Sequence, residues 1–143
     1  MAISVLLVDD EESFVETMQK RLAARRLEVR VANSGMAGLE ELEKDHVDVV
    51  VLDVKMPGMD GIETIRAIKE RFPLVEVILL TGHANLEASL EGMALGAFDY
   101  LLKPVSLDEL VYKIEDAYRK KSLQEEKIQR LRATAEARRS EEE

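Results

Sequence analysis

The sequence contains no cysteine and no tryptophan, and aromatic residues make up only 4% of its 143 residues. The lack of cysteine excludes disulfides, thiolate metal sites and cysteine nucleophiles, and it is typical of proteins from a reducing compartment. The scarcity of aromatic side chains disfavours a stacking surface for carbohydrate or single-stranded nucleic acid. We therefore expect a hydrophobic core built from aliphatic residues.

Long hydrophobic runs and an excess of basic residues are also missing. No apolar run approaches the ~20 residues of a membrane-spanning helix, and segment 3–8 has no basic leader before it, so we expect neither a membrane span nor a signal peptide. The chain carries 29 acidic and 20 basic residues, which disfavours direct contact with nucleic acid. We expect a cytoplasmic protein with one domain and a short extension.

Five short segments have the composition of strands. Segments 3–8, 47–52 and 75–80 are almost entirely apolar, broken only by Asp48 and Glu76, which is typical of strands buried on both faces of a parallel sheet. Segment 27–31 alternates between apolar and polar residues, and segment 98–102 is short and carries a charge. These two segments are predicted to be edge strands.

Amphipathic helices are predicted between and after the strands, because apolar residues recur there three and four positions apart. Asp60 with Glu63, and Ser106 with Glu109, supply start signals for two of them. The apolar stripes are Phe14, Val15, Met18 and Leu22; Met36, Leu39 and Leu42; Ile62, Ile65 and Ile68; Leu86, Leu90 and Met93; and Leu107, Leu110 and Ile114.

Alternation of strand and helix predicts an α/β fold with a doubly wound, five-stranded parallel sheet in the order 2-1-3-4-5, a flavodoxin-like (βα)5 arrangement. The domain is predicted to span residues 1–120. Residues 121–143 are rich in charge and are predicted to form a helical tail or linker that extends the last helix. A coiled coil there would place Lys121 and Gln124 on its seam, which is unfavourable, so a solvated helix is an equally good prediction.

Polar residues follow four of the strands, where the fold places its ligand crevice. Asp9 and Asp10 follow the first strand, Asp53 the third, Thr81 the fourth and Lys103 the fifth. Three carboxylates in one place require protonation or a cation, and an all-oxygen set suits Mg²⁺, for which Mn²⁺ could substitute. Asp53 is then the candidate nucleophile for phosphoryl transfer, with Lys103 and Thr81 to contact phosphoryl oxygens.

Four sequence blocks closely resemble the receiver domain of two-component response regulators, over roughly residues 3–120. The blocks are Asp9-Asp10; Asp53-Val54-Lys55-Met56-Pro57-Gly58-Met59-Asp60-Gly61; Thr81-Gly82-His83-Ala84; and Gly96-Ala97-Phe98-Asp99-Tyr100-Leu101-Leu102-Lys103-Pro104. The resemblance implies that Asp53 accepts a phosphoryl group from a sensor histidine kinase or a phosphotransfer protein. It also implies a signalling module that catalyses only its own phosphorylation and slow autodephosphorylation.

The resemblance implies specific roles for the residues around Asp53. Mg²⁺ would be held by Asp10, by Asp53, by the backbone carbonyl of Lys55 and, through water, by Asp9. Lys103 would pair with the acceptor or the phosphate, and the Lys103–Pro104 peptide bond would be cis.

The resemblance also implies how the signal leaves the site. Thr81 and Tyr100 would form a switch pair that changes the surface of helix four, strand five and helix five. Lys55 and His83 would tune the lifetime of the phosphorylated state. Glycines in and after helix four, Gly92 and Gly96, are predicted to favour its mobility.

Two other functions compete with this one. A magnesium-dependent aspartyl-phosphate hydrolase would need a general acid at the position of Lys55, and a receiver-like interaction module without phosphorylation would not need the site residues. A flavin-binding protein is disfavoured because no phosphate-binding loop follows the first strand. The output domain or effector stays open, and a homodimer could form. His46 has no partner in the family pattern and is expected to be a surface residue.

Overall fold

The structure is a computed structural model, and it describes residues 2–142 apart from the side chain of His83. Its strands are β1 (Ser4–Val8), β2 (Glu28–Ala32), β3 (Val49–Asp53), β4 (Glu76–Thr81) and β5 (Asp99–Leu102). Its helices are α1 (Glu12–Ala23), α2 (Gly35–Lys44), α3 (Gly61–Arg71), α4 (Leu86–Ala94) and α5 (Leu107–Glu142), with a short 3-10 turn at His83–Asn85 before α4. The strands begin and end within two residues of the predicted segments.

The five strands form one parallel sheet in the order β2-β1-β3-β4-β5, which confirms the predicted fold. Every residue of β1, β3 and β4 is buried, whereas β2 and β5 contain exposed residues. The unbroken apolar runs therefore mark the central strands, and the alternating and charged segments mark the edges.

Aliphatic side chains cover both faces of the sheet, as the composition predicted. On one face, α2, α3 and α4 pack on alternate strand residues such as Leu6, Val50 and Leu79. On the other face, α1 and α5 pack on Leu7, Val51 and other residues of the opposite parity. The two layers hold the carboxyl ends of the strands together at one edge of the sheet.

Both predicted helix start signals are present. The Asp60 carboxylate accepts a hydrogen bond from the Glu63 N–H at 2.9 Å, and the Ser106 hydroxyl accepts one from the Glu109 N–H at 3.4 Å. These bonds satisfy backbone donors that have no partner within the first turn of a helix.

Of the predicted apolar stripe of α4, only Met93 packs against the core. Leu86 and Leu90 are 38% and 70% exposed, and the buried residues of the helix are Ser89 and Gly92. A Cβ atom on Gly92 would lie 2.4 Å from Leu79 Cδ1, so this glycine permits close packing of α4 on the sheet. Met36 of α2 is likewise exposed, whereas Gly38 of the same helix packs against Val8 of β1.

The last helix continues without a break through residue 120, as predicted, and α5 is 36 residues long. Within residues 2–142, no helix is both long enough and apolar enough to cross a membrane. His46 is exposed but does have a partner, because its Nε2 lies 2.7 Å from Asp48 Oδ1.

Gly61 begins α3 directly against the end of β3. A Cβ atom at this position would lie 2.6 Å from both the Asp53 carbonyl oxygen and Val54 Cα. Backbone atoms cannot move aside as a flexible side chain can, so only glycine allows α3 to start here.

We predict that Gly61→Ala lowers the free energy of unfolding by about 1–3 kcal/mol, the usual cost of overpacking. Urea unfolding monitored by circular dichroism measures this loss. Gly82→Ala is the matched control, because the nearest atom to a Cβ there is 4.0 Å away, and its effect should stay within about 0.5 kcal/mol. Equal effects of the two substitutions would contradict the prediction.

Candidate functional site

Parallel pairing of β1 and β3 brings two acidic residues side by side. Val8 pairs with Leu52, so Asp9 and Asp53 are neighbours at the carboxyl ends of these strands. Asp10 follows Asp9, and one carboxylate oxygen from each of the three residues lies within 4.8 Å of the other two. The structure thus brings together the three acids that the sequence predicted to meet.

Backbone N–H groups orient two of these carboxylates. Asp9 is fully buried, and its Oδ1 accepts a hydrogen bond from the Glu11 N–H at 3.0 Å. Asp53 is 6% exposed, and its Oδ1 accepts a longer bond from the Lys55 N–H at 3.4 Å. Asp10 is exposed, so the cluster faces solvent through this residue.

Lys103 supplies the positive charge of the site. Its Nζ lies 3.1 Å from Asp9 Oδ2 and 3.6 Å from Asp53 Oδ1. Burial lowers the pKa of Lys103, but the two carboxylates outweigh burial and hold that pKa above its usual value. The peptide bond from Lys103 to Pro104 is cis.

Phe14 of α1 is a part of the site that the sequence did not predict. Its ring centroid lies 4.9 Å from Lys103 Nζ, within the range of a cation–π contact. The helical periodicity assigned Phe14 only to the core. No signal in the sequence indicated that Lys103, which follows β5, would contact a residue of α1.

The predicted switch residues lie on the same face of the sheet. Leu79 pairs with Tyr100, and Thr81 is two residues further along β4, so the side chains of Thr81 and Tyr100 point to the α4 side. The Thr81 hydroxyl is buried and donates a hydrogen bond to the Gly82 carbonyl at 3.2 Å. Tyr100 is 39% exposed.

An open groove of about 540 Å³ gives access to Asp53. It is lined by Asp10, Glu11, Asp53, Lys55, Met56, Pro57, Gly82, Asn85 and Lys103. The Lys55 side chain is exposed, whereas the side chain of His83, the other predicted tuning residue, lies outside the described part of the chain.

Residues 5–115 match the family described as the response regulator receiver domain. The chain belongs to this family. Regulatory protein AtoC of Escherichia coli (strain K12) is 35% identical over 122 residues, 85% of this chain and 26% of AtoC. DNA-binding transcriptional regulator NtrC of the same strain is 39% identical over 113 residues, 79% of this chain and 24% of NtrC. This receiver therefore spans about a quarter of the length of these relatives.

A solved receiver domain also has the same fold. The response regulator receiver domain protein from Clostridium thermocellum superposes with a TM-score of 0.82 at 36% identity, covering 86% of this chain and 98% of that chain.

The donor atoms of the receiver site fit a hard divalent cation. Carboxylate oxygens are the ligands that Mg²⁺ prefers, and the exposed side of Asp10 leaves room for the waters that Mg²⁺ retains. A cluster without imidazole or thiolate does not suit zinc.

Burial and the neighbouring charges alter the acidity of Asp53. Burial, together with the negative charge of Asp9, raises the pKa of Asp53 from 3.8 to about 6, although Lys103 opposes the shift. The folded receiver therefore binds a proton at Asp53 more tightly than the unfolded chain does.

This pKa shift makes the negative charge of Asp53 unfavourable to folding above pH 6. We therefore predict that, at pH 7 in EDTA, the free energy of unfolding of Asp53→Asn exceeds that of the wild type by up to about 3 kcal/mol. The difference should shrink as the pH falls through 6 and vanish below 3.8, where Asp53 is protonated in both states. Urea unfolding at several pH values measures it. Glu40→Gln, a change at an exposed position, should show no such trend, and a difference that grows towards low pH would contradict the prediction.

Proposed function

We propose that this receiver accepts a phosphoryl group on Asp53 from the phosphohistidine of a sensor histidine kinase or phosphotransfer protein. The observation that carries this proposal is the position of Asp53, which lies beside Asp9, Asp10 and the ammonium group of Lys103. An aspartate carboxylate forms acyl phosphates, and phosphoryl transfer needs mainly alignment and neutralisation of charge.

Asp10, Asp53 and the Lys55 backbone carbonyl would hold Mg²⁺ directly, and Asp9 would hold it through water. When bound, Mg²⁺ would offset the repulsion among the carboxylates and the charge on the phosphoryl oxygens. Mn²⁺ would bind the same oxygen ligands.

The side chains of the receiver have separate roles in the transfer. A carboxylate oxygen of Asp53 attacks phosphorus, so that an O–P bond forms while the P–N bond to the donor histidine breaks. Lys103, which contacts Asp53 and Asp9 before transfer, donates to a phosphoryl oxygen afterwards. The Thr81 hydroxyl breaks its hydrogen bond to the Gly82 carbonyl and donates a hydrogen bond to another phosphoryl oxygen instead.

Further parts of the proposal concern the lifetime and the setting of the signal. The exposed Lys55 side chain at the groove, with His83, limits access of the attacking water and so tunes autodephosphorylation. The receiver acts in the cytoplasm as a signalling module, in contact with an output domain or effector and not with nucleic acid. Residues 1–120 form the receiver, and residues 121–143 a charged helical linker.

We predict that incubation with acetyl phosphate and Mg²⁺ adds one phosphoryl group to the wild-type chain and none to Asp53→Asn, as measured by mass spectrometry of the intact protein. EDTA should prevent the addition. Asp45→Asn, a change of an exposed aspartate outside the site, should be phosphorylated like the wild type.

Each competing function predicts another result in this experiment. Sustained release of phosphate from esters would identify a hydrolase, although Lys55 stands where its general acid is needed. A wild-type chain that gains no mass would instead indicate an interaction module that is not phosphorylated.

We also propose that phosphorylation changes the surface of α4, β5 and α5. This surface exposes the large apolar side chains of Leu90, Tyr100, Leu102 and Tyr112, and an ion pair between Lys113 and Asp99 joins α5 to β5. Movement of Thr81 towards the phosphoryl group would leave space on the α4 side of the sheet, which the half-exposed Tyr100 ring would enter.

We predict that beryllofluoride, a phosphoryl mimic, shifts the amide NMR signals of Leu90, Tyr100 and Leu102 in the wild type. In Thr81→Ala the shifts near Asp53 should persist while those on the α4, β5 and α5 surface are largely lost, because the hydroxyl that links the two regions is missing. Thr17→Ala, at an exposed position on α1, is the control. Unchanged signals on this surface in the wild type would contradict the proposal.

A further inference from the structure

Two carboxylates lie buried at the amino-terminal end of the sheet, opposite the acceptor site. Asp48 precedes β3 and is 4% exposed, and Glu76 begins β4 and is 1% exposed. The two residues are neighbours, since the Glu76 N–H donates to the Asp48 carbonyl at 3.2 Å. A buried carboxylate costs several kcal/mol unless it is paired, so these positions require partners.

The partners come from consecutive lysines of α5. Lys121 is only 3% exposed, and its Nζ lies 3.2 Å from Asp48 Oδ1. Lys120 Nζ lies 3.4 Å from Glu76 Oε2, and Lys69 of α3 approaches the other oxygen of Glu76 at 3.7 Å. Consecutive helix residues point about 100° apart, which lets the two lysines of α5 reach neighbouring strands.

Other contacts hold the Asp48–Lys121 pair in one geometry. The Ser4 N–H donates to Asp48 Oδ2 at 2.9 Å, and His46 Nε2 contacts Asp48 Oδ1. On the helix, Glu125 accepts a hydrogen bond from Lys121 Nζ at 3.0 Å. Burial lowers the pKa of Lys121, but its bonds to Glu125 and Asp48 outweigh burial and hold that pKa above its usual value.

Lys121 occupies the last sheet-facing position of α5. The buried stripe of this helix is Leu110, Val111, Ile114, Ala117 and Lys121, and every residue from 129 to 142 is exposed. The buried apolar residues of α5 end at Ala117, so the ion pair of Lys121 is the last buried contact that ties this helix to the sheet. A buried ion pair has a preferred geometry, and its best-attested role is to fix register.

We propose that the pairs Asp48–Lys121 and Glu76–Lys120, the base clamp, fix the rotation of α5 and the direction in which its tail leaves the domain. Residues 122–142 then form a rigid arm of about 30 Å. A partner that binds this arm is held in one orientation relative to the receiver. The base clamp does not depend on phosphorylation of Asp53.

The orientation of the arm can be separated from the stability of the fold. Replacing both members of a buried ion pair by uncharged residues leaves no unpaired charge and is often neutral for stability. If the pair only stabilised the fold, such a double substitution would leave the arm as well ordered as before. If the pair instead positions the arm, the double variant should still fold fully, but the direction of its arm should no longer be fixed.

The absence of cysteine allows a direct measurement. Spin labels are attached at Thr17→Cys on α1 and Ala133→Cys in the arm, both exposed positions, and labelled protein is diluted with unlabelled protein so that only distances within one chain are measured. Electron–electron double resonance on the unphosphorylated full chain should give a single narrow distance distribution. In Lys121→Met and in Asp48→Asn combined with Lys121→Met, the width should increase about twofold.

Lys127→Met is the matched control, because it removes an exposed lysine of the same helix, and it should keep the narrow distribution. Far-UV circular dichroism and urea unfolding of the same samples show whether the double variant is folded. A folded double variant with the wild-type width would overturn the proposal, and so would equal broadening in Lys127→Met. Neither result bears on phosphorylation of Asp53, which this experiment does not use.

Discussion

Repulsion among carboxylates is the constraint on which the site depends. Parallel pairing of β1 with β3 forces Asp9 and Asp53 together, and neither can move away, because both strands are buried on two sides. Lys103 offsets part of the negative charge from the far side of β4. Burial, together with the negative charge of Asp9, still raises the pKa of Asp53, so the receiver holds Asp53 in an environment that favours any step which removes or compensates its charge.

Buried carboxylates are compensated differently at the two ends of the sheet. At the carboxyl ends, three acidic residues lie near one lysine and an opening to solvent. Negative charge therefore remains there that a positive ligand would neutralise. At the amino ends, Asp48 and Glu76 are each paired with lysines within the fold, and no ligand is needed. The same residue types therefore form an open acidic cluster at one end of the sheet and paired charges at the other.

The fold and most of the site could be predicted from the sequence because they depend on local patterns. Apolar runs identified the strands, and strand ends identified Asp9, Asp10, Asp53, Thr81 and Lys103. The face of α4 could not be predicted, since periodicity does not distinguish an apolar stripe on the sheet from one in solvent, and Gly92 gives no hydrophobic signal. The sequence indicated only that Lys121 disfavours a coiled-coil seam. Its ion pair with Asp48, which lies 73 positions earlier in the chain, could not be predicted without the fold.

The contact of α4 with the sheet has a consequence for how such a domain diverges. The buried residues of the helix are Ser89 and Gly92, and its apolar residues Ala88 and Met93 pack on the core while only partly buried, so the contact with the sheet is close but covers little apolar surface. A methyl group added at Gly92 would lie 2.4 Å from Leu79 Cδ1, and overpacking of this kind costs about 1–3 kcal/mol. A single substitution in α4 is thus enough to change how closely this helix packs on the sheet, while the carboxylate cluster stays the same.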